Sequence, residues 1–193
     1  DLVNSPLSNS YLTKDQLNEP KNFYPLKLFV CENCFLIQID EIKKASEIFS
    51  HDYTYFSSYS ISWLDHCQRY VDMVTNRFGY NEQSQVMELA SNDGYLLQYF
   101  QKKNISALGI EPGEIVAQSA QEKGIETIID FFGVRLAKHL VVQNRKADLI
   151  IGNNVFAHVP DVNDFVAGMK IALNDSGVIT LEFPHLMQLI EQN

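Results

Sequence analysis

The stretch that decides the fold is Val86-Met87-Glu88-Leu89-Ala90-Ser91-Asn92-Asp93-Gly94. An apolar run ends in small and polar residues that favour a tight turn, and a helix-like pattern follows at once. The stretch therefore predicts a buried strand that passes through a turn directly into a helix. Backbone N–H groups exposed at such a helix N-terminus bind nucleotide-like ligands in α/β folds.

Strand and helix patterns alternate from residue 85 onward. We predict strands at about 85–90, 106–111, 125–130, 148–153 and 177–183, and helices near 94–103, 113–123, 133–143, 161–173 and 185–192. A longer helix is predicted from about Ser60 to Phe78, with Cys67 on its apolar stripe and Gly79 as its stop. The alternation indicates an α/β fold with a parallel sheet covered on both faces.

Composition narrows the function classes. The net charge of -9 and the pI near 4.9 would repel phosphate backbones, so nucleic acid is a poor partner. No apolar run reaches the length of a membrane span, and no signal peptide is evident. Three Cys, an odd number, argue against a disulfide framework and favour a cytoplasmic protein.

The turn after the first predicted strand is poor in glycine. A dinucleotide fingerprint is G-x-G-x-x-G, whereas Glu88, Ala90, Asn92 and Gly94 stand at the corresponding positions here. Asn92 can adopt left-handed geometry, but Ala90 leaves less room for a pyrophosphate. Glu88 would repel phosphate and would suit the ammonium of a methionine moiety. The turn predicts a nucleoside-type ligand, and an ordinary strand–turn–helix junction is the alternative.

Polar residues also follow the neighbouring strands. Glu111 ends the second strand, where a carboxylate can bind ribose hydroxyls; the alternative is a solvated loop carboxylate. Asn153 and Asn154 end the fourth strand and could contact ligand, and His158 could orient a substrate or act as a base. These three could instead satisfy loop backbone groups. The fifth strand ends in Glu182-Phe183-Pro184-His185.

The first 50 residues differ from the rest. Short β-like segments flank Cys31-Glu32-Asn33-Cys34, which has zinc-knuckle spacing and suggests half of a zinc ribbon. A structural zinc site needs four ligands, and His51 and His66 are further candidates without independent support.

The chain resembles the sugar C-methyltransferases that act on nucleotide-linked deoxy-keto-sugars. The resemblance rests on several motifs that occur in the family's order and cover nearly the whole chain. The matching segments are Ser5 to Tyr11, Tyr24 to Gln38, Tyr55 to Ser60, Glu88 to Gly94, Gly109 to Pro112, Asn153 to Asp161 and Glu182 to His185.

The resemblance implies three segments and a Rossmann-like class I methyltransferase sheet. These are a partial zinc-binding module at 1–50 with Cys31 and Cys34 as ligands, a tyrosine-rich lid and linking helix at 51–80, and an S-adenosylmethionine-binding domain at 81–193 that is incomplete at its C-terminus. The resemblance also implies a C-terminal substrate domain in the family. The cofactor-binding residues that it implies are Tyr59, Glu88, Ala90, Asn92, Asp93, Gly94, Glu111, Pro112, Asn153, Asn154 and Val155.

The implied chemistry is methyl transfer to carbon. A base removes the hydrogen next to a ketone, and the enolate attacks the sulfonium methyl. His158 and His185 are the candidates to assist. Members of the family carry a second Cys-x-x-Cys pair before the equivalent of Asp1 and a Tyr-x-Glu-His-type segment after the equivalent of Asn193. We therefore expect a truncated enzyme whose full-length form binds Zn²⁺ and of whose zinc ligands only Cys31 and Cys34 are present here.

Other functions remain open. The same fold could methylate another small-molecule acceptor or serve as a non-catalytic binding protein. An NAD-dependent oxidoreductase is disfavoured by the missing glycines. DNA methylation is disfavoured because Asn153-Asn154-Val155-Phe156 is not an Asn/Asp-Pro-Pro-aromatic box.

Overall fold

The computed structural model describes residues 3–49 and 53–192. The strands in these residues are β1 (Asn4–Ser5), β2 (Tyr24–Pro25), β3 (Leu28–Val30), β4 (Ile37–Ile39), β5 (Gln85–Leu89), β6 (Ser106–Ile110), β7 (Thr127–Ile128), β8 (Ala147–Asn153) and β9 (Leu173–Glu182). The α-helices are α1 (Ala45–Ile48), α2 (Ile61–Phe78), α3 (Leu97–Gln101), α4 (Glu114–Glu122), α5 (Val134–Val142), α6 (Val162–Ala172) and α7 (Leu186–Glu191).

The last five strands form one parallel sheet in the order β7-β6-β5-β8-β9. This confirms the predicted α/β fold class. The third predicted strand is shorter than expected, because β7 pairs only at Thr127 and Ile128. β1 pairs with β2, and β3 with β4, in two small antiparallel sheets. The predicted domain limits at residues 50 and 80 stay a prediction.

Both faces of the parallel sheet are covered. Val86 and Leu149 face a cluster with α2 and α3, whereas Met87 and Ile150, their neighbours in sequence, face a second cluster with α5 and α6. Successive strand residues point to opposite faces, so the apolar runs in β5 and β8 can fill two cores at once. Burial of each such side chain stabilises the fold by about 1.5–3 kcal/mol.

The sheet face under α2 changes from apolar to polar along the strands. Ladder partners on β5, β8 and β9 form three rows: Val86 with Leu149 and Val178; Glu88 with Ile151 and Thr180; Asn153 with Glu182. Because ladder partners point to the same face, the polar side chains collect at the carboxyl edge of the sheet. Two of them contact α2, where Tyr70 is hydrogen-bonded to Thr180 and His66 to Glu182.

The turn after β5 is built from left-handed residues. Ala90, Asn92 and Gly94 have φ angles of 57°, 49° and 76°. The left-handed geometry expected of Asn92 is confirmed. Ala90 adopts it too, although this costs a non-glycine residue about 1–2 kcal/mol. Such strain is concentrated at functional sites, where the surrounding structure maintains it.

The helix ends follow the sequence signals. Ser60 Oγ accepts a hydrogen bond from the Trp63 N–H at the start of α2, and Gly79, with φ of 71°, ends it. Cys67 is fully buried on the apolar stripe, as predicted. No helix within residues 3–49 and 53–192 is long and apolar enough to cross a membrane.

Gly94→Ala should destabilise the fold more than Gly79→Ala. Both positions have positive φ, so both variants carry a conformational cost of about 1 kcal/mol. A Cβ at Gly94 would also lie 2.3 Å from the Cδ1 of buried Ile125, whereas a Cβ at Gly79 would have no atom within 4 Å among the described residues. We expect a further loss of about 1–3 kcal/mol at Gly94 in urea unfolding. Equal losses in the two variants would contradict this account.

Candidate active site

The strand order places a crevice at the carboxyl ends of β5 and β8. β5 pairs with β6 on one side and with β8 on the other. The strands β6 and β7 are therefore added on one side of β5, and β8 and β9 on the other, so the strand order reverses at this point. Ligands of open α/β sheets bind at such a switch point. The turn at 90–94 forms one wall of this crevice, and Asn153 and Asn154 lie at the end of the other strand.

Three buried side chains at this edge have polar atoms without a partner. Both carboxyl oxygens of Glu88, Oγ of Ser91 and Nδ2 of Asn153 make no hydrogen bond to any described residue. The residues are 0%, 0% and 5% exposed. A buried polar atom that stays unpaired costs about 1–3 kcal/mol. Such a group within a crevice indicates that a ligand supplies the missing partner.

Glu88 is the one of these three side chains that can ionise, and its pKa is strongly shifted. Its complete burial raises the pKa well above the ordinary glutamate value, and the negative charges of Glu111 and Asp93 raise it further. The Tyr95 hydroxyl acts in the other direction and favours the ionised form, although its geometry falls short of a hydrogen bond. A cation at this position would reverse the balance and ionise the carboxyl group.

Glu111 lies at the end of β6, as predicted, and is only 3% exposed. Its Oε2 accepts a hydrogen bond from the Asn92 N–H at 2.8 Å, and its Oε1 accepts one from the Gly113 N–H at 2.7 Å. Burial raises the pKa of Glu111, and these two hydrogen bonds oppose the rise. The carboxylate is therefore fixed in orientation beside the 90–94 turn, which rules out the solvated-loop alternative.

The tyrosine-rich segment at 53–59 lies against the 90–94 turn. The Ser57 N–H donates to Asn92 Oδ1 at 2.9 Å, and Asn92 Nδ2 donates to the Tyr55 carbonyl at 2.8 Å. Burial beside Glu111 raises the pKa of Tyr53 to about 12. Tyr59 is 81% exposed at the end of the segment, where its ring stacks on Phe56. We call residues 53–59 the lid segment, after the lid role that the sequence predicts for them and that stays a prediction.

Asp93 anchors the lid from within the turn. Its carboxylate accepts hydrogen bonds from the Ser58 hydroxyl and the Ser58 N–H, and it pairs with Lys123 Nζ at 3.0 Å. All these contacts are structural, so the contact of Asp93 with a cofactor stays a prediction. Gly94 is buried behind the turn and lets the chain pass close to Ile125.

The remaining cofactor candidates line the same edge. Asn154 is exposed with φ of 53°, and its N–H donates to the Glu182 carbonyl at 2.6 Å. Val155 is half-buried against the second core cluster. Pro112 and Ala90 are also half-buried, next to Glu111 and within the turn respectively. Their contacts with a cofactor stay predictions.

The two predicted catalytic histidines are not brought together with the buried groups. His158 is exposed, with its ring centroid 6.5 Å from that of Phe49. His185 is exposed at the start of α7, where its Nδ1 accepts a hydrogen bond from the Gln188 N–H at 3.3 Å. Its position thus gives His185 a helix-capping task, and the catalytic role of both stays a prediction.

Sequence reasoning gave no separate role at this edge to Trp63, Tyr95 or Ser91, and it considered His66 only as a zinc ligand. The rings of Trp63, His66 and Tyr95 pack together under α2, His66 contacts Glu182, and Ser91 Oγ is buried in the turn without a partner among the described residues. Ser91 and Tyr95 lie inside and just after the turn, and a systematic listing of its polar residues would have found them. Trp63 and His66 are distant in sequence, so only the packing of α2 reveals their place.

The role of Cys31 and Cys34 as half of a zinc site stays a prediction. β3 and β4 flank the Cys31–Cys34 turn as predicted, and hydrogen bonds within the turn lower the pKa of Cys31. Within the described residues no three His, Cys, Asp or Glu side chains form a group that could hold a metal. His51 lies outside those residues. Two thiols do not complete a four-coordinate zinc site.

Comparison with known proteins agrees with this architecture. Residues 1–49 match a family described as a proposed zinc-binding domain, and residues 63–192 match a family described as a methyltransferase domain. The C-methyltransferase NovU of Streptomyces niveus is 28% identical over 189 residues, which are 98% of this chain and 45% of NovU. The chain thus spans less than half the length of this curated relative.

Two solved structures share the fold. The PH0226 protein from Pyrococcus horikoshii OT3 has 17% identity and a TM-score of 0.57, over 72% of this chain and 62% of its own. A SAM-dependent methyltransferase from Archaeoglobus fulgidus has 15% identity and a TM-score of 0.51, over 64% of this chain and 57% of its own. Because the methyltransferase-domain model matches residues 63–192, two thirds of the sequence, this chain belongs to the methyltransferase-domain family.

Proposed function

We propose that this chain binds S-adenosylmethionine at the carboxyl edge of its sheet and serves the methylation of a carbon atom in a nucleotide-linked keto-deoxysugar. The observation that carries the proposal is the set of three buried, unpartnered polar groups of Glu88, Ser91 and Asn153. Glu111, held at the next strand end, adds a fixed carboxylate beside them.

The residues fit the parts of this cofactor. A carboxylate at Glu111 suits the paired hydroxyls of a ribose, and its two fixed oxygens set the direction of approach. Glu88 has no cation within the described crevice, and a methionine ammonium would supply one. Ala90 stands in the turn where a dinucleotide fingerprint has a glycine and leaves less room for the diphosphate of NAD, which disfavours the oxidoreductase alternative.

The bound cofactor would supply an electrophilic methyl group on sulfonium. The chain's own residues would bind it, orient it and keep water away. Ser57 and Ser58 fix the lid segment on Asn92 and Asp93, and Tyr53 of the same segment lies close enough to Glu111 to feel its charge, which supports a lid at this side of the crevice. Fixing two reactants in this way can supply several kcal/mol of the barrier reduction for a displacement.

The acceptor is the finer part of the proposal. NovU is a C-methyltransferase by name, and the match to it runs along 98% of this chain. A nucleotide-linked keto-sugar is a small molecule whose carbon next to the ketone can form an enolate. Another small-molecule acceptor is the second candidate, and His158 and His185 are proposed to assist at the acceptor side.

S-adenosylhomocysteine should bind the chain, and NAD should not. Titration calorimetry is the measurement. Glu111→Gln should weaken S-adenosylhomocysteine about 10- to 100-fold, because it removes charged hydrogen-bond acceptors from the ribose. Glu114→Gln is the matched control, since Glu114 is exposed on α4 three residues away. Binding of neither compound would support a non-catalytic protein, and tighter binding of NAD would support an oxidoreductase.

Glu88→Gln should raise stability and weaken cofactor binding together. The folded chain holds the proton on Glu88 more tightly than the unfolded chain does, so the wild type loses stability as the pH rises above about 4.5. The variant lacks this loss, and its advantage in urea unfolding should grow from pH 4.5 to pH 7. Its affinity for S-adenosylhomocysteine should fall, while its affinity for adenosine, which lacks the ammonium, should stay constant. A variant less stable than the wild type at pH 7 would refute the assignment.

A further inference from the structure

Asp93 is a buried carboxylate at which three parts of the chain meet. Its side chain is 1% exposed and accepts hydrogen bonds from the hydroxyl and the N–H of Ser58 in the lid segment. Lys123 Nζ lies 3.0 Å from Asp93 Oδ2 and donates to the Asp93 carbonyl at 2.9 Å. Of the cations that the structure describes, only Lys123 pairs with Asp93. We call Ser58, Asp93 and Lys123 the clasp.

Lys123 is held in place by the end of α4. It follows the helix directly, and its own N–H donates to the Ala120 carbonyl at 3.1 Å. The other end of α4 begins after Gly113, whose N–H donates to Glu111 Oε1. One helix therefore connects the fixed carboxylate of Glu111 to the cation that pairs with Asp93.

The segment that the clasp holds lies beside the carboxylate proposed to bind the ribose. A Cβ at Gly113 would lie 3.0 Å from Glu111 Oε1 and 3.2 Å from Tyr53 Cδ1, so the Tyr53 ring stands next to that carboxylate. The Asn92 N–H donates to Glu111 Oε2, while the Asn92 side chain accepts from the Ser57 N–H. We therefore expect a ribose at Glu111 to lie in contact with the lid segment.

The charge of Lys123 strengthens the attachment of Ser58. A hydrogen bond to an ionised acceptor is roughly twice as strong as one between neutral groups. Without the lysine charge, an ionised Asp93 would be buried without a cation, which is strongly unfavourable, and its bonds to Ser58 would weaken. Solvent screens the ammonium, which is 44% exposed, so the weakening is partial.

The attachment of α4 to the fold does not depend on Lys123. The helix docks through its buried residues Val116, Ala117 and Ala120. The lid segment, in contrast, has only half-buried and exposed residues. Of the four side-chain hydrogen bonds that join it to the 90–94 turn in the described part of the chain, two end on the Asp93 carboxylate. Loss of the lysine charge therefore affects the lid segment more than the fold.

We propose that Lys123 is a positioning residue that sets how long the cofactor stays bound, acting through Asp93 and Ser58 on the lid segment. This inference rests on the proposed function. While the clasp is formed, the lid segment stays on the turn, and entry and release of S-adenosylmethionine wait for it to detach. Loss of the lysine charge makes detachment more frequent, so association and dissociation both become faster.

The test measures the binding kinetics of S-adenosylhomocysteine on the full-length protein by surface plasmon resonance. Lys123→Gln should raise the dissociation rate constant about 10-fold and the association rate constant about 3-fold or more, because it weakens charge-assisted hydrogen bonds. The dissociation constant should therefore rise less than the dissociation rate constant. Lys123→Arg, which keeps the charge, should have both rate constants within about threefold of the wild type. Lys103→Gln is the matched control, since Lys103 is 39% exposed and pairs with Asp72 at 2.8 Å.

Ser58→Ala tests the clasp from the lid side without changing the lysine. It removes the hydroxyl that donates to Asp93 and should raise both rate constants as well. Combined with Lys123→Gln, it should give less than the product of the two separate increases, because both changes act through one carboxylate. Independent effects of the two substitutions would contradict the clasp. If Lys123→Gln does not fold, unchanged rate constants in Ser58→Ala overturn the inference.

The outcomes separate the two proposals. A wild type that binds no S-adenosylhomocysteine overturns the proposed function and this inference with it. A wild type that binds, with unchanged rate constants in Lys123→Gln, overturns the inference alone. So does a dissociation constant that rises in proportion to the dissociation rate constant, because that pattern marks damage to the binding turn. A Lys123→Arg variant as fast as Lys123→Gln also overturns it, since the charge would then have no part.

Discussion

The two-sided pairing of β5 is the constraint on which the rest of the structure depends. β5 lies between β6 and β8, and every residue from Val86 to Leu89 is buried. A strand in that position must be apolar on both faces, so a charged side chain within it is costly. Glu88 stands there nonetheless, without a hydrogen-bond partner among the described residues. The fold thus maintains a destabilising group at the place where a cation would ionise and stabilise it.

The same constraint organises the turn that follows. With β5 fixed in register on both sides, the chain must leave the sheet within a few residues and enter α3. It does so through three left-handed residues, of which Ala90 carries the cost that a glycine would avoid. The lid and Lys123 hold the resulting geometry through Asn92 and Asp93. Strain in the turn and contacts in the lid are therefore parts of one arrangement.

Sequence patterns predicted the parallel sheet, the long helix and the strand ends because these follow from periodicity and local turn chemistry. Glu111 and Asn153 lie, as predicted, at one edge of the sheet, at the ends of the two strands that flank β5, since parallel strands bring their carboxyl ends to one edge. The capping role of His185 and the anchoring role of Asp93 were not foreseen. Each depends on one partner, Gln188 or Ser58, whose approach is a matter of three-dimensional packing.

The sequence by itself determined the α/β class, the glycine-poor turn and the acidic strand ends, because each is written in consecutive residues. Only the tertiary structure decided which of these polar groups are left without partners. It also brought His66 to Glu182, 116 positions away in the chain. The physical reason is that burial and pairing depend on how α2 packs across three strands. A periodic pattern shows that a helix has an apolar face, but not which polar residues its ends will meet.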